Sequence, residues 1–297
     1  MIIHSYHGRE IKDMSVKGEL KYGIEIEYAF TKSKEVIEKI RSITEMTYWC
    51  AERDASVDIE FTSHIISDSV LYDALLEINN SIINRFKNKI KMEDSSIHIH
   101  IECEEKETKK KIQKFVAENK EFFYKIGQKN LNQVLRFSAY STGDSKYNAV
   151  NISKPKTVEF RFFRNTLDIK DIIMYVKLCK LIYEFIKTTD SPSNINLDNF
   201  IKLVKKNSPE LYIWSEERQA AIINKKLKLE TIDLISEQLR KMGEKLFIQI
   251  DKDDRCSDIN VYHNKDFNIY TVTIPKRFRL TQNNALKIVE NIKKGGF

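Results

Sequence analysis

The 297-residue chain is 41% hydrophobic and 31% charged, a balance that excludes both a disordered chain and a membrane-embedded protein. Its net charge of +7 comes from 50 basic and 43 acidic residues spread along the sequence, which is typical of a solvated, lysine-rich surface. The charge leaves a nucleotide, nucleic-acid or acidic protein partner open. It does not by itself indicate nucleic-acid binding, because no recognition motif accompanies it.

Hydrophobic periodicity predicts alternating strands and helices over residues 20–190. Period-2 alternation indicates a strand, and apolar residues three and four apart indicate a helix. In chain order the predicted elements are a strand over 22–30, a helix over Ser33–Ile43, a strand over 57–63, a helix over Ser67–Phe86, a strand over 96–102, a mostly helical segment over Lys106–Leu131, a strand over 157–165 and a helix over Leu167–Lys187. This order predicts an α+β core, with an α/β core as the alternative.

The segment "TTDSPSNINLDN" (188–199) is the most linker-like part of the chain. We therefore predict one domain over residues 1–190 and a mainly helical region over 191–297, which is either a separate domain or a layer on the first. The predicted elements of this second region are helices over Leu197–Lys206, Ser215–Leu229, Thr231–Gly243 and Thr281–Lys293, and a small strand pair near "DINVYH" and "NIYTVTI".

Four predicted strands carry one apolar face and one polar face, because successive side chains of a strand alternate. The polar positions of these strands are Glu25 and Glu27 in "GIEIEYAF", Asp58 and Glu60 in "VDIEFTS", His98, His100 and Glu102 in "SIHIHIE", and Glu159 and Arg161 in "VEFRFF". A face that only met solvent would carry threonine, serine, lysine and mixed charges. The pattern instead predicts a sheet face lined by carboxylates, imidazoles and one arginine.

Carboxylates packed together repel one another and need a cation. Oxygen ligands favour Mg²⁺ or Mn²⁺, and the histidines favour a site that tolerates Mn²⁺. Arg161 offers a fork suited to phosphate or carboxylate. Each pattern alone has an ordinary explanation as a solvated face, a structural histidine or a cross-strand ion pair. Their occurrence in four separate strands favours a metal and anion site.

Several motifs resemble the putative amidoligase family, which is related to glutamine synthetase and glutamate–cysteine ligase. The resemblance rests on four stretches that occur in the family's order over residues 20–190: "GIEIEYAF", "DASVDIEFTS", "SSIHIHIE" and "RFSAYSTGDSKYNAVNI…TVEFRFFRNTLD". It implies a curved, mainly antiparallel sheet with an open polar face backed by helices, as in the catalytic fold of glutamine synthetase. It also implies an ATP-dependent carboxylate–amine ligase that forms an amide through an acyl phosphate.

The resemblance also implies a role for each site residue. Metal ligands would come from Glu25, Glu27, Glu60, Glu159 and one of His98 and His100, of which we favour His100 as the deeper residue. Arg161 would hold phosphate, and Arg164 would bind the substrate carboxylate or the leaving phosphate. Contacts to nucleotide or substrate would come from Arg136, Lys146, Tyr147 and Asn151, and Asp54 would orient the amine. The implied cofactors are ATP and two or three Mg²⁺ or Mn²⁺ ions.

Two other classes of function remain open from the sequence. The first is a ligase-like fold that binds ATP or a polyanion without turnover. The presence of the full set of acidic, imidazole and arginine residues argues against it, because a site that has lost its activity usually lacks some of them. The second is a metal-dependent hydrolase or nuclease that uses a metal-bound water. The glycine- or proline-rich turn that often follows the family's second motif is missing from "FTSHIISD", and residues 191–297 resemble no family.

The cysteine pattern predicts a cytoplasmic protein. The four cysteines are scattered without a CxxC pair, which favours a reducing compartment over a disulfide framework. No secretory signal is expected, because the opening residues "MIIHSYHGREIKDM" show no basic segment followed by a long apolar one. No membrane-spanning helix is expected, because the sequence contains no run of about 18 apolar residues. The expected partners are small-molecule or peptide carboxylates and amines, and the oligomeric state stays open.

Overall fold

A computed structural model describes residues 3–4, 10–43, 46–53, 57–129, 134, 138–221, 246–250, 258–263 and 269–273. The chain divides into two compact units, Met1–Arg218 and Gln219–Phe297. The first unit continues past the linker-like segment, because helices that follow that segment pack on the first unit's core. The assignment of residues 1–190 to an amidoligase-like domain is still a prediction. No helix among the described residues is long and apolar enough to cross a membrane.

The first unit is an α+β structure built on a seven-stranded sheet, which confirms the predicted class. The strand order is β1-β3-β4-β2-β5-β7-β6, and every neighbouring pair is antiparallel except β1 with β3. The strands are β1 (Ile3–His4), β2 (Tyr22–Phe30), β3 (Trp49–Glu52), β4 (Ile59–Ser63), β5 (Ile90–Glu102), β6 (Val150–Asn151) and β7 (Thr157–Arg164). The alternation predicts β2, β4, β5 and β7 but not the three short strands.

Helices complete the first unit. They are α1 (Ser33–Arg41), α2 (Asp68–Ile78), which continues through a π turn (Asn79–Ile83) into α3 (Asn84–Phe86), then α4 (Lys106–Glu118), α5 (Lys120–Gly127), α6 (Ile169–Thr188) and α7 (Leu197–Asn207). Residues 209–218 are also helical. The helices predicted in this unit are confirmed over the described residues, but the segment predicted over Lys106–Leu131 breaks at Asn119, and the helix after the break ends at Gly127.

The apolar faces of the four long strands form the core, as the alternation predicts. Ile24, Ile26, Phe61, Ile99 and Phe160 have no exposed surface. Helices α1, α5 and α6 contact β2, β7 and β5 respectively. Burial of these side chains removes apolar surface from water, which is the main stabilising term of the fold.

Strand β7 contains a bulge that the alternation cannot predict. Ile97 pairs with Phe163 and Ile99 with Phe160, so Arg161 and Phe162 together lie opposite His98. The extra residue lets both Phe162 and Phe163 reach the core, where the ring of Phe163 stacks on Tyr175 with centroids 4.2 Å apart. A bulge of this kind redirects side chains and is common beside functional sites.

Helix α5 ends in close contact with β7, and Gly127 makes this contact possible. A Cβ atom at residue 127 would lie 2.1 Å from the carbonyl oxygen of Phe162. Gln128 takes the left-handed conformation with φ of 56° and ends the helix. This turn places Lys129 against β7.

We expect Gly127→Ala to lower the free energy of unfolding by about 2–3 kcal/mol, because a backbone carbonyl cannot move aside as a flexible side chain can. Urea unfolding would measure the change. Gly23→Ala is the matched control, since its Cβ would meet only the Ser63 hydroxyl at 3.9 Å. Equal effects of the two substitutions would contradict the close packing at Gly127.

The second unit contains a three-stranded antiparallel sheet in the order β10-β9-β8. Its strands are β8 (Leu246–Ile250), β9 (Asp258–His263) and β10 (Ile269–Thr273). The predicted strand pair is confirmed by β9 and β10, and β8 was not predicted. The helices predicted over Thr231–Gly243 and Thr281–Lys293, and the end of the one over Ser215–Leu229, lie outside the described residues.

Candidate metal and anion site

Cross-strand pairing arranges the polar face of the first sheet in three rows. Residues directly opposite each other on neighbouring strands point to the same face, so each row brings its side chains together. The first row is Glu52, Glu60, Glu27 and Ser96, the second is Cys50, Thr62, Glu25 and His98, and the third is Gly23, His100, Glu159 and Asn151. The predicted segregation of polar residues on β2, β4, β5 and β7 produces these rows.

Three side chains at the centre of this face have the spacing of a metal site. Glu25, His100 and Glu159 each offer one donor atom, and these atoms lie within 4.8 Å of one another. The Nε2 atom of His100 lies 3.2 Å from Oε1 of Glu25. It is buried and has no aligned hydrogen-bond acceptor or donor among the described residues. A ring nitrogen in this position suits a ligand to a cation.

The burial of His98, which lies next to this group, differs from the prediction. Its side chain is 2% exposed, against 15% for His100, so His98 is the deeper of the two histidines. The sequence-based preference for His100 was therefore wrong about depth, although His100 is the histidine in the three-residue group.

The His98 ring connects the rows of the face. Its Nδ1 atom lies 3.3 Å from Glu25 Oε2, 3.6 Å from Glu159 Oε1 and 3.7 Å from Glu27 Oε1. Its Nε2 atom lies 3.2 Å from the hydroxyl of Ser96, which itself donates to Glu27. Three carboxylates around one ring nitrogen are favourable only when positive charge lies among them.

Glu159 is a buried carboxylate with a hydrogen-bond donor at each oxygen. It is 2% exposed, and its Oε2 accepts a hydrogen bond of 2.6 Å from the side-chain amide of Asn151. Its Oε1 accepts from the guanidinium of Arg161 on the same strand. Burial by itself raises the pKa of Glu159, but the charges of His100, Arg161 and His98 outweigh burial and lower its pKa.

The same balance holds for the other members of the three-residue group. Burial raises the pKa of Glu25, yet His100 and His98 hold its pKa well below its usual range. Burial lowers the pKa of His100, but the charges of Glu25 and Glu159 outweigh burial and raise its pKa. The two carboxylates are therefore held ionised, the form in which they bind metal, whereas His100 must release a proton before its ring nitrogen can bind metal.

Glu27 and Glu60 lie beside the three-residue group and not within it. They face each other in the register of β2 and β4, and Glu60 is in turn opposite Glu52. Glu60 accepts a hydrogen bond of 3.0 Å from Thr62. Asp58, which the alternation assigns to the polar face, lies before β4 and accepts the N–H of Phe30 at 2.6 Å.

Of the other residues predicted for the site, one joins the three-residue group and three are exposed. Arg164 is exposed at the end of β7, opposite Ser96. Lys146 and Tyr147 lie on an exposed loop, with the Lys146 ammonium 5.0 Å from the centre of the Tyr147 ring. Asn151 joins the site through Glu159. Asp54 and Arg136 lie outside the described residues.

Two buried charged residues of this region were missed from the sequence. Glu52 is 2% exposed and lies on β3, a strand of four residues that is too short to show alternation. Lys129 is 4% exposed and donates to the carbonyl oxygen of Arg161. Its position follows "IGQ", whose glycine suggests a helix end but gives no sign that the next lysine is buried.

The donor set fits a divalent cation. Two ionised carboxylates and one imidazole suit Mn²⁺ or Mg²⁺. Comparison of the chain with known proteins finds no matching family model and no matching curated protein.

Proposed function

We propose that this protein is an ATP-dependent carboxylate–amine ligase whose polar sheet face holds divalent metal ions. The observation that carries the proposal is the convergence of Glu25, His100 and Glu159 donor atoms within 4.8 Å, directly beside the Arg161 guanidinium. A metal site next to a fixed arginine suits transfer of a phosphoryl group. The motif resemblance to amidoligases over residues 20–190 supports the same class, and with it a curved sheet like that of glutamine synthetase.

The proposed reaction has two steps. A substrate carboxylate oxygen attacks the γ-phosphorus of ATP, the bond from that phosphorus to the bridging oxygen breaks, and ADP leaves. The amine nitrogen then attacks the acyl carbon, gives up a proton and displaces phosphate. The chemistry that bound Mg²⁺ or Mn²⁺ would supply is neutralisation of the negative charge on the phosphates.

The residues of this chain have separate roles in that reaction. Glu25, His100 and Glu159 would hold the first ion, and Glu27 and Glu60 would take part in further metal binding. Arg161 would contact the transferring phosphoryl oxygens, with Glu159 and Asn151 fixing its position. Lys146, Tyr147, Arg136, Arg164 and Asp54 keep their predicted roles toward nucleotide, carboxylate and amine.

The test is ADP release from ATP with Mg²⁺ or Mn²⁺ against pools of carboxylates and amines, including amino acids, polyamines and nucleosides. We expect ADP formation that requires one carboxylate and one amine and that is lost in Glu25→Gln. Glu107→Gln is the control, because Glu107 is an exposed residue of α4 paired with Lys110.

The other outcomes separate the alternative functions. ATP binding without ADP release from any pool would favour a binding module on a ligase-like fold. Metal-dependent cleavage of a phosphodiester without ATP would favour a hydrolase or nuclease. Either result would contradict the ligase proposal.

A further inference from the structure

The second unit carries most of the net positive charge of the chain. Gln219–Phe297 contains 15 basic and 10 acidic residues, whereas Met1–Arg218 contains 35 basic and 33 acidic residues. Five of the seven net positive charges therefore lie in 79 of the 297 residues. A charge excess of this size in a small unit favours an anionic partner.

The register of the three-stranded sheet divides its residues between two faces. Residues directly opposite each other on neighbouring strands belong to the same face, and successive residues of one strand belong to opposite faces. Two rows of one face consist entirely of apolar or aromatic residues: Ile248 with Val261 and Tyr270, and Ile250 with Ile259 and Val272. This composition is typical of the core side of an antiparallel sheet.

The other face of this sheet combines aromatic and polar residues. One of its rows is Phe247, Tyr262 and Ile269, and the next row is Gln249, Asn260 and Thr271. Every residue of the second row has an amide or a hydroxyl group. A face with such polar rows is typical of the side of an antiparallel sheet that meets solvent.

Two aromatic residues are neighbours on this polar face. Phe247 and Tyr262 lie opposite each other on adjacent strands, which are about 4.8 Å apart in a sheet. Sheets that bind single-stranded RNA carry aromatic residues on neighbouring strands, where the rings stack on successive bases. Amide and hydroxyl groups beside them suit the edges of the bases and the 2′-hydroxyl groups of ribose. A cross-strand aromatic pair also stabilises a sheet without any ligand, but that role does not explain the positive charge of the unit.

We propose that the face of the second unit that carries Phe247 and Tyr262 binds single-stranded RNA. The two aromatic residues stack on bases, and the row of Gln249, Asn260 and Thr271 contacts base edges and ribose. The net positive charge of the unit attracts the phosphates. This binding requires neither ATP nor a divalent ion, so it goes beyond the ligase reaction proposed for the first unit and does not depend on it.

The experiment is fluorescence polarisation of a labelled random-sequence RNA of about ten nucleotides, titrated with the full-length protein in EDTA. We expect Phe247→Thr and Tyr262→Thr each to weaken RNA binding at least about tenfold, because each removes a stacking ring while threonine retains a high strand propensity. Tyr72→Thr is the matched control and should bind as the wild type does, since Tyr72 is an exposed aromatic residue of α2 in the first unit. The affinity of the wild-type protein should fall as the salt concentration rises.

The substitution Phe247→Trp separates stacking on RNA from a purely structural role. It should retain RNA binding, and its fluorescence should be quenched by RNA beyond any quenching of the wild-type protein, whose tryptophans are Trp49 and Trp214. This readout decides the proposal even if the threonine variants do not fold, which circular dichroism would show. Unchanged fluorescence of Phe247→Trp in the presence of RNA would overturn the proposal.

Three further results would also overturn the assignment. They are no RNA binding by the wild-type protein, wild-type affinity in folded Phe247→Thr and Tyr262→Thr proteins, and equal or tighter binding of single-stranded DNA of the same length.

Discussion

Replacement of Glu159 by glutamine is expected to lower ATP-dependent amide formation by about 100-fold or more while the fold is retained. Glutamine keeps the shape of the side chain but removes the charge that His98, His100 and Arg161 surround. The same change should weaken Mn²⁺ binding at least about tenfold. Initial rates of ADP release and calorimetric titration with Mn²⁺ measure the two effects.

The control for Glu159→Gln is Glu118→Gln, which removes an equivalent charge from the exposed end of α4. Circular dichroism and the midpoint of thermal unfolding establish that both variants are folded. A Glu159→Gln protein with wild-type activity and wild-type Mn²⁺ affinity would exclude Glu159 from the site.

The stability of the protein is expected to depend on pH through Lys129. The pKa of this lysine is about 7 in the folded protein, against 10.5 for an unperturbed lysine. Between these two pH values the unfolded chain binds more protons than the folded chain, so the free energy of unfolding rises with pH. The loss of stability that the buried Lys129 ammonium causes is complete below pH 7 and disappears as the pH approaches 10.5. One pKa unit corresponds to about 1.4 kcal/mol, so the whole contribution is at most about 5 kcal/mol.

Urea unfolding of the wild-type protein and of Lys129→Met at pH 6, 7, 8 and 9, without phosphate or metal, measures this contribution. The methionine variant should be the more stable protein at pH 6 and 7. Its advantage should shrink by about 2 kcal/mol or more between pH 7 and pH 9. Parallel curves for the two proteins would show that Lys129 is not buried as a desolvated ammonium group. Lys114→Met, at an exposed position of α4, controls for the loss of one positive charge.

The strands that carry the site could be predicted from sequence because each alternates strictly over at least five residues. Burial of Ile24, Ile26, Ile97 and Ile99 confirms the predicted faces of β2 and β5. Pairing of antiparallel strands then brings Glu25, His98, His100 and Glu159 together without further information. These features depend on local periodicity, which a single sequence records directly.

Other parts of the site depend on contacts between distant segments. The bulge in β7 decides which residues lie opposite His98, and nothing in "VEFRFF" marks an extra residue in the pairing. Lys129 is buried because Gly127 lets α5 approach the backbone of Phe162, a contact that sequence periodicity does not describe. Glu52 enters the polar face on a strand of only four residues, which is too short to predict from alternation.

The most direct test of the central claim is a crystal structure of the protein grown with Mn²⁺ and a non-hydrolysable ATP analogue, with anomalous diffraction used to locate the manganese. We predict a manganese peak coordinated by Glu25, His100 and Glu159, with the γ-phosphate of the analogue beside Arg161. A manganese-free cluster, or a nucleotide bound away from the polar face of the seven-stranded sheet, would contradict the account.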